Sequence, residues 1–240
     1  MALLVSACGF TEQRKIIIVN ENADVDGSFV ISSVIGQRLR QQSSGIVLVC
    51  CCQSLKFYEA CGRKLGYNLS MSINKQSLLP IEALRVFNDL SSTSILDDLY
   101  EEIHAKVKDL QSNGMKNISI IIDDLTFFAN LTCSEKQLIT LGMRLHELAN
   151  ENEHLSLIMK IGLADLHQHV TNNLEDLADV TVTIEKLKSG EFRDVDGKLV
   201  IKKMKSENGI IMVENERILL YHVGDHNVKL MAPGENGLKI

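Results

Sequence analysis

The sequence predicts an α/β fold: a mostly parallel sheet flanked by helices, finished by antiparallel hairpins at the C-terminal end. Three observations predict it. Short apolar runs alternate with amphipathic stretches of helical period, the pattern of parallel strands joined by crossover helices. An early apolar run passes through a polar, glycine-containing loop into a helix, and a later one ends in two adjacent carboxylates. The last quarter changes to strict alternation punctuated by Asp-Gly and Gly-Asp turns.

Taken in order, Lys15 to Val19 reads as the first buried strand, followed by a helix from Ser28 to Gln42 with Ile31, Val34, Ile35 and Leu39 inward and Arg38 and Arg40 outward. Gly45 to Cys52 is the second strand. Ser54 caps the next helix, whose apolar positions Leu55, Tyr58, Cys61 and Leu65 run to a stop at Gly66. The stretch from Asn68 to Ser92 is mixed, with a short strand expected at Leu69 to Ile73 and a turn around Pro80. Ile95, Leu99, Ile103, Val107 and Leu110 then form a helical ladder ending near Gly114, with Asp97, Asp98, Glu101 and Glu102 as its solvated flank. A strand at Asn117 to Ile122 runs into Asp123 and Asp124. Ser134-Glu-Lys-Gln137 is a capping box opening a helix with Leu138, Leu141, Leu145 and Leu148 inward, and a strand follows at His154 to Ile161. Val180 to Ile184, Phe192 to Lys203 and Arg217 to Met231 read as antiparallel strands, with turns at Asp196-Gly197 and Gly224 to Asn227. No linker or repeat divides the chain, so residues 1–240 are expected to form a single domain.

Composition narrows the function. With 240 residues, 45% of them apolar, the chain can bury a sizeable core, and no apolar run reaches the ~18 residues of a membrane span. The net charge of −6 opposes autonomous binding to a phosphate backbone, so any nucleic-acid contact is expected to be local or shared with partners. Aromatics make up 5% and Trp is absent, which argues against base-stacking platforms. Six cysteines, three of them consecutive at Cys50 to Cys52, match neither a disulfide framework nor a zinc site. Reduced, small buried residues of a cytoplasmic or nuclear protein are the reading that fits. Met1 to Phe10 lack the basic start of a secretory signal.

The strand, turn and helix at Ile16 to Leu39 stand where a RecA-class nucleotide-binding protein carries its phosphate loop, Gly-x-x-x-x-Gly-Lys-Ser/Thr. Gly27 survives, but Asn22 replaces the first glycine, Ser28 the lysine and Phe29 the magnesium-holding hydroxyl. Asp24 and Asp26 add two carboxylates inside the loop. Without the lysine, each would oppose a triphosphate by about 1 to 4 kcal/mol at intermediate dielectric. Tight ATP binding is therefore not expected, and no cofactor is. Asp123 and Asp124 sit where a Walker B segment orders Mg²⁺ and polarises water. With the phosphate loop dismantled, they read as structural acceptors for loop amides. No Gly-x-Ser-x-Gly elbow exists for a nucleophile, Cys52 and Cys61 carry no activation signature, and His167-Gln-His169 after Asp165 reads as polar surface, so neither a catalytic residue nor a metal site is expected. Between Lys186 and Lys205, seven basic side chains face three acidic ones. That local excess marks Lys198, Lys202, Lys203 and Lys205 as either a solvated hairpin or an RNA-facing edge.

Several segments, in order along the chain, carry a resemblance: Asp24-Val-Asp-Gly-Ser-Phe29; Val47-Leu-Val-Cys-Cys-Cys-Gln-Ser54 with Phe57-Tyr58; Gly62-Arg-Lys-Leu-Gly66; Ile121-Ile-Asp-Asp-Leu125; Phe192-Arg-Asp-Val-Asp-Gly-Lys-Leu199; and the Tyr221 to Gly234 hairpin. Together they resemble the subunit 6 family of the Elongator complex. The resemblance implies a RecA-like fold without the usual nucleotide-binding residues, and a heterohexameric ring formed with Elongator subunits 4 and 5. It implies that this ring binds tRNA and docks onto the larger Elongator subunits, whose catalytic member modifies wobble uridines at carbon 5, in cytoplasm and nucleus. The alternative it leaves open is a residual ATPase that uses Asp123 with partner residues at a shared interface.

Overall fold

The computed structural model describes residues 2–8, 15–83, 95–131, 133–163, 168–187, 194–207 and 210–234. Helices are α1 (Ala2–Ala7), α2 (Ser28–Arg38), α3 (Leu55–Leu65), α4 (Leu69–Asn74), α5 (Ile95–Ser112), α6 (Glu135–Glu151) and α7 (Gln168–Glu175). Strands are β1 (Ile16–Asn22), β2 (Ser44–Cys50), β3 (Leu78–Glu82), β4 (Asn117–Ile122), β5 (Leu155–Leu163), β6 (Val180–Glu185), β7 (Gly197–Glu207), β8 (Ile210–Val223) and β9 (Val228–Met231), with a 3₁₀ turn at Leu125–Phe128. The strands form one nine-stranded sheet in the order β3-β2-β4-β5-β1-β6-β7-β8-β9. Pairing is parallel from β3 to β6 and antiparallel from β6 to β9.

The central strands are apolar on both faces because both faces are covered. In β1, Ile16 and Ile18 join α5 and α6 in one core, whereas Ile17 and Val19 join α1, α2, α3 and α4 in the other. The caps match the sequence: the Ser54 side chain accepts from the Phe57 amide, Gly66 closes α3 in the left-handed region at φ 77, and Ser134 with Gln137 forms a capping box.

Elsewhere the structure departs from the sequence pattern. Leu69–Asn74 is a helix, not a strand, because the Asn68 side chain accepts from the Met71 amide at 2.8 Å and starts a turn. Pro80 lies within β3, not in a turn; β3 is the sheet edge, where a missing N–H breaks no ladder. Arg38 points inward and is 1% exposed, reaching Ser156 Oγ and Gln41 Oε1, each at 3.4 Å. Burial pulls its guanidinium down to about 10. β6 alternates because its Thr183 and Glu185 are half-exposed, yet it pairs parallel with β1. Gly197 opens β7 instead of forming a turn: a Cβ there would lie 2.4 Å from the Glu185 carbonyl and 2.9 Å from Cε1 of Tyr221. α1, which the sequence reading left unassigned, buries Leu4 and Val5.

Candidate functional site

The carboxyl ends of β1, β2, β4 and β5 meet at one end of the sheet, the place where open α/β folds put their ligands. β1 delivers Glu21 and Asn22; the Asn22 carbonyl accepts from the Val25 amide in a tight turn, and Gly27 then leads into α2. In a phosphate loop, the first amides of this helix point at anionic oxygens. Here they meet the chain's own carboxylates. The Gly27 amide donates to Glu21 Oε2 at 2.6 Å, and the Ser28 amide donates to Asp26 Oδ1 at 2.9 Å. Lys160, rising from β5, donates to the same Glu21 oxygen at 2.8 Å. Although burial opposes its charge, Glu21 holds the Lys160 ammonium above the usual lysine value.

The surviving glycine follows from this packing. Gly27 has an ordinary φ of −87, and a methyl added there would lie 2.6 Å from Ile184 Cδ1 and 2.8 Å from Glu21 Oε2. Ser28 is buried and its hydroxyl accepts from Gln53 Nε2 at 3.4 Å. Phe29 turns its ring toward Tyr221, with centroids 4.9 Å apart.

Asp123 is fully buried at the end of β4. It accepts from the amides of Cys51 (2.6 Å), Cys52 (3.2 Å) and Gln53 (3.0 Å) and from the Tyr58 hydroxyl (3.2 Å). Burial pushes its carboxyl above the usual range, and the amides only partly offset that. The cysteine triplet thus spans the strand-to-loop passage, and this carboxylate holds the amides of its last two members and of Gln53. Asp124 caps the 3₁₀ turn, accepting from the Thr126 amide at 2.9 Å and from its hydroxyl at 2.5 Å, while Cys52 Sγ donates to its other oxygen at 3.0 Å.

These residues do not fit Mg²⁺ and a nucleoside triphosphate. The position of a phosphate oxygen is taken by Glu21, the loop lysine is replaced by Ser28 while the nearby Lys160 is paired to Glu21, and Asp123 has its oxygens turned to backbone amides and the Tyr58 hydroxyl. Among the described residues no group of three or more His, Cys, Asp or Glu could hold a metal ion. Asp165 and His167 lie outside the described residues; His169 is exposed. Sequence reasoning missed Glu21 and Lys160. The signal was present: Lys160 stands between Met159 and Ile161 in a strand too apolar to leave a charge unpaired.

The family model described as Elongation complex protein 6 matches residues 2–225. The chain belongs to that family. It is 35% identical to Elongator complex protein 6 of Drosophila melanogaster, over 98% of this chain and 97% of that protein. The Xenopus laevis Elongator complex protein 6 is 22% identical, over 89% and 88%. Among solved structures, a KaiC-like protein from Pyrococcus horikoshii OT3 superposes with a TM-score of 0.64 at 11% identity, covering 91% of this chain and 90% of that one. The chain therefore has the RecA-like fold.

In this member of the family the basic residues of β7 are interleaved with acids. Lys198 pairs with Glu185 at 3.0 Å, Lys205 pairs with Glu207, Lys202 lies across from Glu216, and Lys203 is exposed across from Asn215. Beyond Lys203 the β7–β8 ribbon projects past its neighbours: β6 pairs β7 only up to Lys203, and β9 pairs β8 only from Leu220. On that ribbon Ile211, Met212 and Val213 are 40%, 45% and 49% exposed.

Proposed function

We propose that this chain is a non-catalytic subunit of the Elongator complex. In this reading it joins subunits 4 and 5 in a heterohexameric ring, which binds tRNA, docks onto the larger subunits and supports carbon-5 modification of wobble uridines. The observation that carries it is the Glu21 carboxylate on the Gly27 amide, where a nucleotide-dependent relative needs a phosphate. A residual ATPase built on Asp123 would have to strip that carboxylate from three backbone amides first.

The projecting ribbon supports the assembly part. A two-stranded ribbon is marginal in water, and three consecutive half-exposed apolar residues on it suit a protein contact. In this reading the subunit serves tRNA modification in cytoplasm and nucleus. Among the described residues no helix is long and apolar enough to cross a membrane.

Native mass spectrometry of the chain co-expressed with subunits 4 and 5 tests the reading. A mixed hexamer is expected, and Ile211→Ser with Met212→Ser and Val213→Ser should lower its yield while the melting temperature of the isolated chain is kept. A monomer that ignores both partners would overturn it.

A further inference from the structure

The net charge of −6 is not spread evenly over the fold. From Gly27 to Ile81 the sequence holds a single acid, Glu59, and six basic residues, of which only Arg38 is buried. Arg40, Lys56, Arg63, Lys64 and Lys75 are all exposed, on the side of the sheet that α2, α3 and α4 cover. The other side carries Asp97, Asp98, Glu101 and Glu102 on α5. The lone acid of the basic side is engaged with α4: Glu59 Oε1 accepts from Ser70 Oγ at 2.9 Å. Among the described residues Lys56, Arg63, Lys64 and Lys75 enter no ion pair, whereas Lys106, Arg144, Lys160, Lys198 and Lys205 each do.

Helix chemistry explains part of this cluster and not the rest. Arg63 and Lys64 occupy the last turn of α3, where the helix dipole favours cations, and Arg40 joins them by donating to the Leu65 carbonyl at 2.8 Å. Lys56 stands in the first turn of the same helix, where a cation is disfavoured and no acid accompanies it. Seven residues separate Lys56 from Arg63, so the two share one outward stripe of α3. Lys64 also borders a groove with Asp26 and Asp225, which leaves Lys56 and Arg63 as the pair to test. Such a face needs an anion. A protein interface is built on an apolar centre from which lysine is depleted, yet among the described residues Met71 is the one large apolar side chain exposed between Arg40 and Gln76. A phosphate backbone asks only for cations along its path. We propose that the outer face of α3, flanked by Arg40 and Lys75, docks the phosphate backbone of an RNA. The contact is local, as the overall charge requires, and α3 crosses between β2 and β3, toward the opposite edge of the sheet from β7. The proposal rests on the reading that the assembly binds tRNA, and adds that this subunit touches it and where.

The experiment has two arms. In the first, anisotropy follows a fluorescein-labelled tRNA transcript binding to the co-purified assembly of this chain with subunits 4 and 5, between about 50 and 200 mM KCl. Lys56→Ala with Arg63→Ala should weaken binding about tenfold and lower the salt slope by roughly one to two, with Arg63→Lys near the unaltered chain because phosphate accepts either cation. Both side chains are exposed, so the melting temperature of the chain and the mass of the assembly should be kept. Unchanged affinity and slope in an intact assembly would overturn the proposal. So would lost capture of the larger Elongator subunits with RNA binding unchanged, which makes the face a protein contact. In the second arm, ¹⁵N spectra of the isolated full chain at low salt are titrated with an RNA of about twelve nucleotides and with polyglutamate of the same charge. Saturable shifts of the Lys56 to Gly66 amides with RNA, weaker with polyglutamate and lost in the double variant, are expected. No shift, or an equal response to polyglutamate, overturns the RNA. If the chain ignores subunits 4 and 5 while the RNA shifts persist, the ring reading fails and the docking face stands.

Discussion

The Gly27 amide and the Glu21 carboxylate, six residues apart, are joined at 2.6 Å, and Lys160 completes the arrangement from the neighbouring strand. Nearly buried lysine and carboxylate stabilise each other only as a pair. Glu21→Gln should keep an acceptor for Gly27 yet strand the Lys160 charge, lowering stability by about 3 kcal/mol at neutral pH. The pH dependence separates the two chains. In the unaltered protein the Lys160 value is raised above 10.5, so its contribution is full below 10.5 and is lost as pH climbs through the folded value. In the variant, burial is opposed only by the Asp124 carboxylate and Cys52, so the folded value should drop and the deficit should shrink as pH rises toward 10. Urea unfolding followed by circular dichroism between pH 7 and 10.5 checks both slopes.

Asp123 does for the β2–α3 loop what a ligand does elsewhere: it collects the amides of Cys51, Cys52 and Gln53 on one acceptor. Asp123→Ala leaves those donors and the Tyr58 hydroxyl without their carboxylate. A loss of about 3 kcal/mol, or roughly 6–12 °C in melting temperature, is expected in calorimetry. Asp123→Asn should fall between, because its amide nitrogen would face donors. Because the folded value is raised, keeping Asp123 charged costs stability above that value, and the cost is relieved as pH falls through it.

Cys52 is exposed yet poorly poised for reaction. Partial burial, then the Asp124 carboxylate, push its thiol up to about 12. Alkylation of Cys52 by iodoacetamide at pH 8, followed by peptide mass spectrometry, should be slower than for an ordinary exposed thiol. Asp124→Asn should accelerate it several-fold, since removing the charge favours thiolate.

If β7 contributes to tRNA binding in the assembled ring, Lys202→Glu with Lys203→Glu should weaken it and flatten its salt dependence by roughly one to two phosphate contacts. A filter-binding salt titration with the intact ring reads both. Unchanged affinity and slope would make these lysines solvated partners of the acids on β8.

Much of the fold was legible because its signals are local. Ser54, Gly66 and the Ser134–Gln137 box mark helix ends through contacts a few residues long, and the apolar strands declare themselves by composition. What was not legible depends on position in the sheet. Pro80 is tolerated only because β3 is an edge, β6 alternates although it pairs parallel with β1, and Arg38 turns inward to a serine 118 residues away. The site divides the same way. Ser28 and Phe29 show the loss of lysine and hydroxyl directly, whereas the Glu21 and Lys160 pair that fills the loop joins residues 139 apart.

The most direct measurement is isothermal titration of MgATP into the full chain, alone and within the co-purified assembly with subunits 4 and 5. With Glu21 and Lys160 closing the loop, the isolated chain should show no saturable heat, and the assembly should show none that Glu21→Gln in this subunit alters. Micromolar, magnesium-dependent binding by the isolated chain that Asp123→Ala abolishes would contradict it.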